Sequence, residues 1–105
     1  MSDRLTAARD YVAKKPTDRF GLYTLGMELR KLQSWPECFA AFDTLLEVHP
    51  TYGPGYYHYA MARRESGDRP GCIDVLKRGL VVTETNGDQK TNAEITDVLD
   101  ELGAL

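Results

Sequence analysis

A 34-residue internal repeat constrains the fold of this chain more than any other feature. When the sequence is aligned with itself at that offset, identical residues recur at one register through much of the chain. A period of about 20–50 residues is typical of proteins that stack copies of one supersecondary unit. The identical positions pair Pro16 with Pro50, Thr17 with Thr51, Gly21 with Gly55, Tyr23 with Tyr57, Met27 with Met61, Arg30 with Arg64, Pro36 with Pro70, Cys38 with Cys72, Leu46 with Leu80 and Val48 with Val82.

Each repeat has the apolar spacing of two helices. In residues 18–31 the leucines fall on one helical face, and Asp18 stands where an N-cap is expected. Ser34 and Glu37 then have the spacing of a capping box at the start of a second helix, which Pro50 ends. The residues expected to pack on these two apolar faces are Leu22, Leu25, Leu29, Leu32, Cys38, Phe42, Leu45 and Leu46.

The second copy and the two flanking segments extend this pattern. The second copy predicts helices over about 55–66 and 70–82, and the flanks predict one helix each, over 2–14 and 89–102. No segment has a strand signal, so we expect an all-α fold, a short α-solenoid of antiparallel helix pairs. The predicted single domain, 1–105, consists of an N-terminal half-repeat at 1–16, repeats at 19–52 and 53–86, and a capping helix with its tail at 88–105.

These motifs resemble the tetratricopeptide repeat, a 34-residue helix–turn–helix unit. The resemblance is fullest in residues 19–52, at Leu22, Leu25, Gly26, Leu29, Cys38, Phe42 and Pro50. Residues 53–86 depart from the pattern at Arg63, Gly79 and Glu84. These departures predict that the second repeat ends loosely, with a longer turn over residues 85–88.

The resemblance also implies a function, the binding of a peptide segment in a concave groove lined by the first helix of each repeat. Tyrosine offers a flat apolar surface, methionine adapts to irregular ligands, and arginine holds a carboxylate. Such a groove suits an extended or helical peptide with apolar side chains and an acid. The implied groove residues are Phe20, Tyr23, Met27, Arg30 and Lys31 in the first repeat, and Tyr57, Met61, Arg64 and Glu65 in the second.

Composition argues against several other classes of protein. A pI near 5.3 is unlike that of a nucleic-acid-binding domain, and no apolar run approaches the ~20 residues of a membrane span. Cys38 and Cys72 form no C-x-x-C motif, which favours a reducing, cytoplasmic location. No set of residues supplies a nucleophile with its base or a group of metal ligands, so we expect no enzymatic activity and no cofactor.

Charge is distributed unevenly along the chain. Residues 84–105 hold six acids and one base, whereas the rest of the chain holds twelve bases and ten acids. The acidic last helix is therefore a candidate ligand, within the chain or between subunits, for Arg30, Lys31 and Arg64. Two full repeats are also fewer than the ~3 that usually form a stable stack. The alternative function is therefore a self-associating scaffold, a homo-oligomer whose subunits complete each other's helical stack.

Overall fold

The computed structural model describes residues 3–105, and this part of the chain forms six helices and no strand. The all-α, repeat-like fold expected from the sequence is thereby confirmed. Two compact units divide after His49, with three helices in each. Within the described residues, no helix is long and apolar enough to cross a membrane. The helices are α1 (Asp3–Lys14), α2 (Arg19–Lys31), α3 (Trp35–Val48), α4 (Gly53–Glu65), α5 (Arg69–Asn86) and α6 (Gln89–Glu101).

In the first unit, α2 packs against both α1 and α3. Gly26 allows the close approach of α2 and α3, because a Cβ at this position would lie 2.9 Å from the ring of Phe42. The Cys38 thiol donates to the Gly26 carbonyl at 3.4 Å across the same contact. The predicted apolar faces are buried with one exception: Leu32 is 49% exposed because it is the C-cap, where α2 has already ended.

In the second unit, each of α4, α5 and α6 packs against the other two. Gly79 of α5 lies where the three helices meet. A Cβ on Gly79 would be 2.6 Å from Cβ of Tyr56 on α4 and 2.9 Å from Cδ1 of Ile95 on α6. Tyr56 and Tyr59, three positions apart on α4, are both buried, and the Tyr56 hydroxyl donates to the Pro50 carbonyl at 2.7 Å.

Three aspartates cap helices through their side chains. The carboxylates of Asp18, Asp68 and Asp88 each accept a hydrogen bond from a backbone N–H in the first turn of the helix that follows. Such bonds satisfy donors that the first turn otherwise leaves without partners. The N-cap expected at Asp18 is confirmed.

The capping box predicted at the start of α3 is wrong. Ser34 occupies the N-cap position, yet its side chain makes no capping hydrogen bond. Glu37 pairs instead with Arg9 of α1, whose Nε lies 2.9 Å from Glu37 Oε2. The contact of Glu37 with Arg9, 28 positions away, thus replaces the expected contact with Ser34.

The end of the second repeat also differs from the prediction. α5 continues to Asn86, a turn beyond the expected end at Val82, and Gly87 terminates it with φ at 76°. The longer turn over residues 85–88 is absent, because Glu84, unlike a proline, leaves the helical hydrogen bonds intact. α4 likewise begins at Gly53, before the expected start, with proline tolerated in its first turn.

The departure at Arg63 has a structural role in the second unit. Its guanidinium donates to the Tyr59 hydroxyl at 2.7 Å and to the Asp68 carboxylate at 2.8 Å. Arg63 therefore ties the end of α4 to the N-cap of α5, and the turn between them is firmly held.

Candidate functional site

One side of α2 carries the residues predicted for the first repeat. Positions 20, 23, 27 and 30 follow the spacing of a single helical face. Phe20 is 69% exposed, whereas Tyr23, Met27 and Arg30 are half-buried. Arg30 Nη1 lies 4.0 Å from the Met27 sulfur, so these two side chains are neighbours on the helix surface. Lys31, at the end of the same face, is exposed.

Phe20 also stands at one end of an apolar groove between α1 and α2. Its ring meets the ring of Tyr11 edge to face, with centroids 6.3 Å apart. Tyr11 in turn lies against Gly21, where a Cβ would be 2.6 Å from the tyrosine ring. The groove has a volume of about 320 Å³ and is lined by Arg4, Ala7, Ala8, Tyr11, Phe20, Gly21, Thr24 and Glu28.

Two basic side chains lie at this groove. Arg4 lines it, and Lys15 Nζ lies 5.6 Å from the centroid of the Tyr11 ring. Glu28, the one acidic residue in the lining, is neutralised by Lys31 at 3.3 Å. Residues 3–31 as a whole hold seven Lys or Arg against four Asp or Glu. The groove is therefore apolar within, and the segment that forms it carries a net positive charge.

Sequence reasoning did not identify the groove. On α1, Ala8 is buried, whereas the aromatic side chain of Tyr11 is exposed. The available signal was the small pair Ala7 and Ala8, because two alanines beside an exposed aromatic leave a depression in the helix surface.

The same side-chain set on α4 has different surroundings. Met61 is buried, and Tyr57 is half-buried with its ring edge-on to His58, at 5.1 Å between centroids. Arg64 Nη1 donates to Glu101 of α6 at 3.0 Å. Glu65 is exposed. The acidic last helix thus contacts a predicted groove residue of its own unit.

The two cysteines are buried and packed. Burial raises the pKa of the Cys72 thiol, although Arg64 and Arg69 act in the opposite direction. A neutral thiol is a weak nucleophile and a weak metal ligand. Among the described residues, no three or more His, Cys, Asp or Glu side chains are grouped to hold a metal ion.

Comparison with known proteins bears on the fold. No protein-family model matches the sequence, and no curated protein matches it. Among solved structures, the chain is similar to the solution structure of protein BPP2914 from Bordetella parapertussis, with a TM-score of 0.82 at 20% sequence identity. The match covers 98% of this chain and 90% of that one. At this identity the likeness establishes a shared helical fold.

Proposed function

We propose that this chain is a protein-interaction module of the tetratricopeptide type, in which α2 contacts a peptide segment of another protein without catalysing a reaction. The observation that carries the proposal is the exposure of Phe20 on a face that also presents Tyr23 and Met27. Aromatic residues and methionine are enriched in protein interfaces. A large aromatic ring that is 69% exposed beside a groove is suited to insertion into a partner.

The ion pair of Arg64 suggests the chemistry of the partner. Arg64 is the repeat equivalent of Arg30, and it holds a carboxylate that is carried by a helix. Arginine recognises carboxylates through a planar set of donors. A segment that binds α2 is therefore expected to combine apolar side chains with at least one acid.

The alternative, self-association by completed stacks, is less well supported. It requires α6 to pair with α1 of a second copy, as α2 pairs with α3. When the two helices are aligned on their N-caps, Thr96 and Asn92 of α6 replace Gly26 and Leu22 of α2. The Asn92 amide already donates to the Thr83 hydroxyl at 3.0 Å. This polar side lacks the glycine that admits a second helix closely, so we favour a different protein as the partner.

A peptide selection tests the proposal. A random-sequence peptide library is selected against the wild-type protein, and the enriched peptides are titrated against the double variant Phe20→Ala, Tyr23→Ala. We expect the enriched peptides to carry apolar residues and an acid, and to lose affinity for the double variant.

The control is Val81→Ala, which removes an exposed apolar side chain from α5 in the other unit. Circular dichroism verifies that each variant remains helical. If no peptide is enriched, or if the double variant binds as well as Val81→Ala does, the proposal is wrong.

A further inference from the structure

Helices α2 and α6 are structurally equivalent. Each has 13 residues, begins after an aspartate N-cap, Asp18 or Asp88, and ends at a leucine C-cap, Leu32 or Leu102. In both cases the residue after the C-cap has a positive φ, which is 58° at Gln33 and 65° at Gly103. Each helix also packs against the helix that precedes it in the chain. The pair α1–α2 therefore corresponds to the pair α5–α6.

In the second unit, a third helix covers this pair. α4 packs against both α5 and α6, and its Tyr56 lies on Gly79 beside Ile95. Among the described helices of the first unit, α3 packs against α2 and meets α1 through the exposed Arg9–Glu37 ion pair, without the helix packing by which α4 covers both α5 and α6. In the first unit, the surface that corresponds to the one on which α4 packs is the open apolar groove of about 320 Å³ between α1 and α2.

We propose that this groove binds one amphipathic α-helix of another protein, with acidic residues beside its apolar stripe. The proposal deepens the interaction function proposed above and rests on it, but it uses the side of α2 that faces α1. The bound helix takes the position over α1 and α2 that α4 takes over α5 and α6. Its apolar side chains lie on Ala7, Ala8 and Thr24, next to the Tyr11–Phe20 pair.

Charge at the groove edge selects an acidic helix. Glu101, the last residue of α6, accepts a hydrogen bond from the guanidinium of Arg64 on α4. The equivalent last residue of α2 is Lys31, so the charge at this position is reversed. Lys31 also pairs with Glu28 at 3.3 Å, and a carboxylate on a helix seated like α4 would take the position of Arg64 and share this ammonium group. Arg4 at the groove adds a second cation that acidic side chains can reach.

The helix that binds is not α6 of a second copy. The apolar side of α6 consists of Ile95, Val98 and Leu99, and all three are buried within their own unit. Offering them to another molecule would require the second unit to unfold. The exposed side of α6 is acidic but has no apolar stripe to fill the groove.

The test uses a synthetic stapled helix as the probe. Its apolar stripe carries Leu and Tyr at helical spacing with Glu on both sides, and a matched probe has Lys in place of every Glu. Stapling is needed because short isolated helices are marginal in water. Binding is followed by the backbone amide shifts of the ¹⁵N-labelled protein during titration with each probe.

We expect the acidic probe to shift the amides of Ala7, Ala8, Gly21 and Thr24, and to bind about tenfold more tightly than the lysine probe, a difference of about 1.4 kcal/mol. Ala7→Glu, which places a carboxylate in the groove, should weaken acidic-probe binding by a similar factor. Ala13→Glu makes the same change at an exposed site of α1 outside the groove and should leave binding within about twofold.

Three results would overturn the inference: no groove shifts, equal affinity for the two probes, or an equal loss in both variants. Shifts confined to Tyr23 and Met27 would leave the proposed function standing while this inference fails. Light scattering of the unliganded protein over a concentration series is the last arm. Association that Ala7→Glu abolishes and Ala13→Glu does not would assign the groove to a second copy instead.

Discussion

Arg64 of α4 donates a hydrogen bond to the carboxylate of Glu101 on α6, with 3.0 Å between the two atoms. The pair joins the first and last helices of the second unit, and its side chains remain 42% and 60% exposed. Solvent screens an ion pair in such surroundings, so it contributes little to stability. The apolar contacts of Tyr56 and Ile95 around Gly79 are therefore expected to hold these helices together.

Removing the charge of Glu101 tests whether the ion pair contributes less to stability than the apolar contacts around Gly79. Glu101→Gln should lower the free energy of unfolding by less than about 1 kcal/mol, because exposed ion pairs contribute little. Urea denaturation measures the change, and a double-mutant cycle with Arg64→Gln isolates the coupling between the two side chains. A coupling above about 2 kcal/mol would mean that the pair holds α6 in place and that the packing is secondary.

A methyl group at Gly79 should have a larger effect. Gly79→Ala places a Cβ within 2.6 Å of Tyr56 and 2.9 Å of Ile95, and both neighbours are buried. We expect a destabilisation of about 1–3 kcal/mol in urea, even though alanine favours a helix by about 1 kcal/mol over glycine. If the variant were instead more stable than the wild type, α4 and α6 would not press on α5 at this point.

Much of the fold was predictable because the helices of the repeat are specified by patterns of residues that are close together in the sequence. The apolar spacing that includes Leu22 and Leu29, together with the capping aspartates, depends on residues within one or two helical turns. The capping box at Ser34 failed because Arg9, far away in the sequence, takes the Glu37 carboxylate. The spacing of neighbouring residues gives no sign that a distant residue competes for the same carboxylate.

The candidate site was less predictable than the fold. Met27 and Met61 are identical residues at equivalent repeat positions, yet the first is half-buried and the second is buried. The offset of 34 predicts that their helices are alike, but burial depends on which other helices cover them. The groove between α1 and α2 was missed for the same reason, since it exists where the equivalent pair in the other unit has a third helix.

Two phenylalanines should separate stability from binding. Phe42 is fully buried against Gly26, so Phe42→Ala should cost about 3–5 kcal/mol in urea denaturation. Phe20 is 69% exposed, and Phe20→Ala should change stability by at most about 1 kcal/mol. A loss for Phe20→Ala as large as that for Phe42→Ala would make Phe20 a core residue and remove it from the candidate site.

Acid should weaken the fold partly through the cap of α5. The Gly71 N–H and the Arg63 guanidinium, in that order, lower the pKa of Asp68 in the folded chain. A carboxyl whose folded pKa is lowered stabilises the fold fully above its ordinary pKa of about 4, and this contribution disappears as the pH falls through the lower, folded value.

Asp68→Asn is the matched variant, because asparagine caps a helix about as well but does not titrate. We expect the urea midpoint of the wild type to fall more steeply than that of Asp68→Asn as the pH is lowered from about 6 to about 3. Asp18 and Glu37, whose pKa values are also lowered, should preserve some acid dependence in the variant. Parallel curves for the two proteins would mean that the Asp68 carboxylate gains no net stabilisation from Gly71 and Arg63, and the geometry of this cap would then have no energetic consequence.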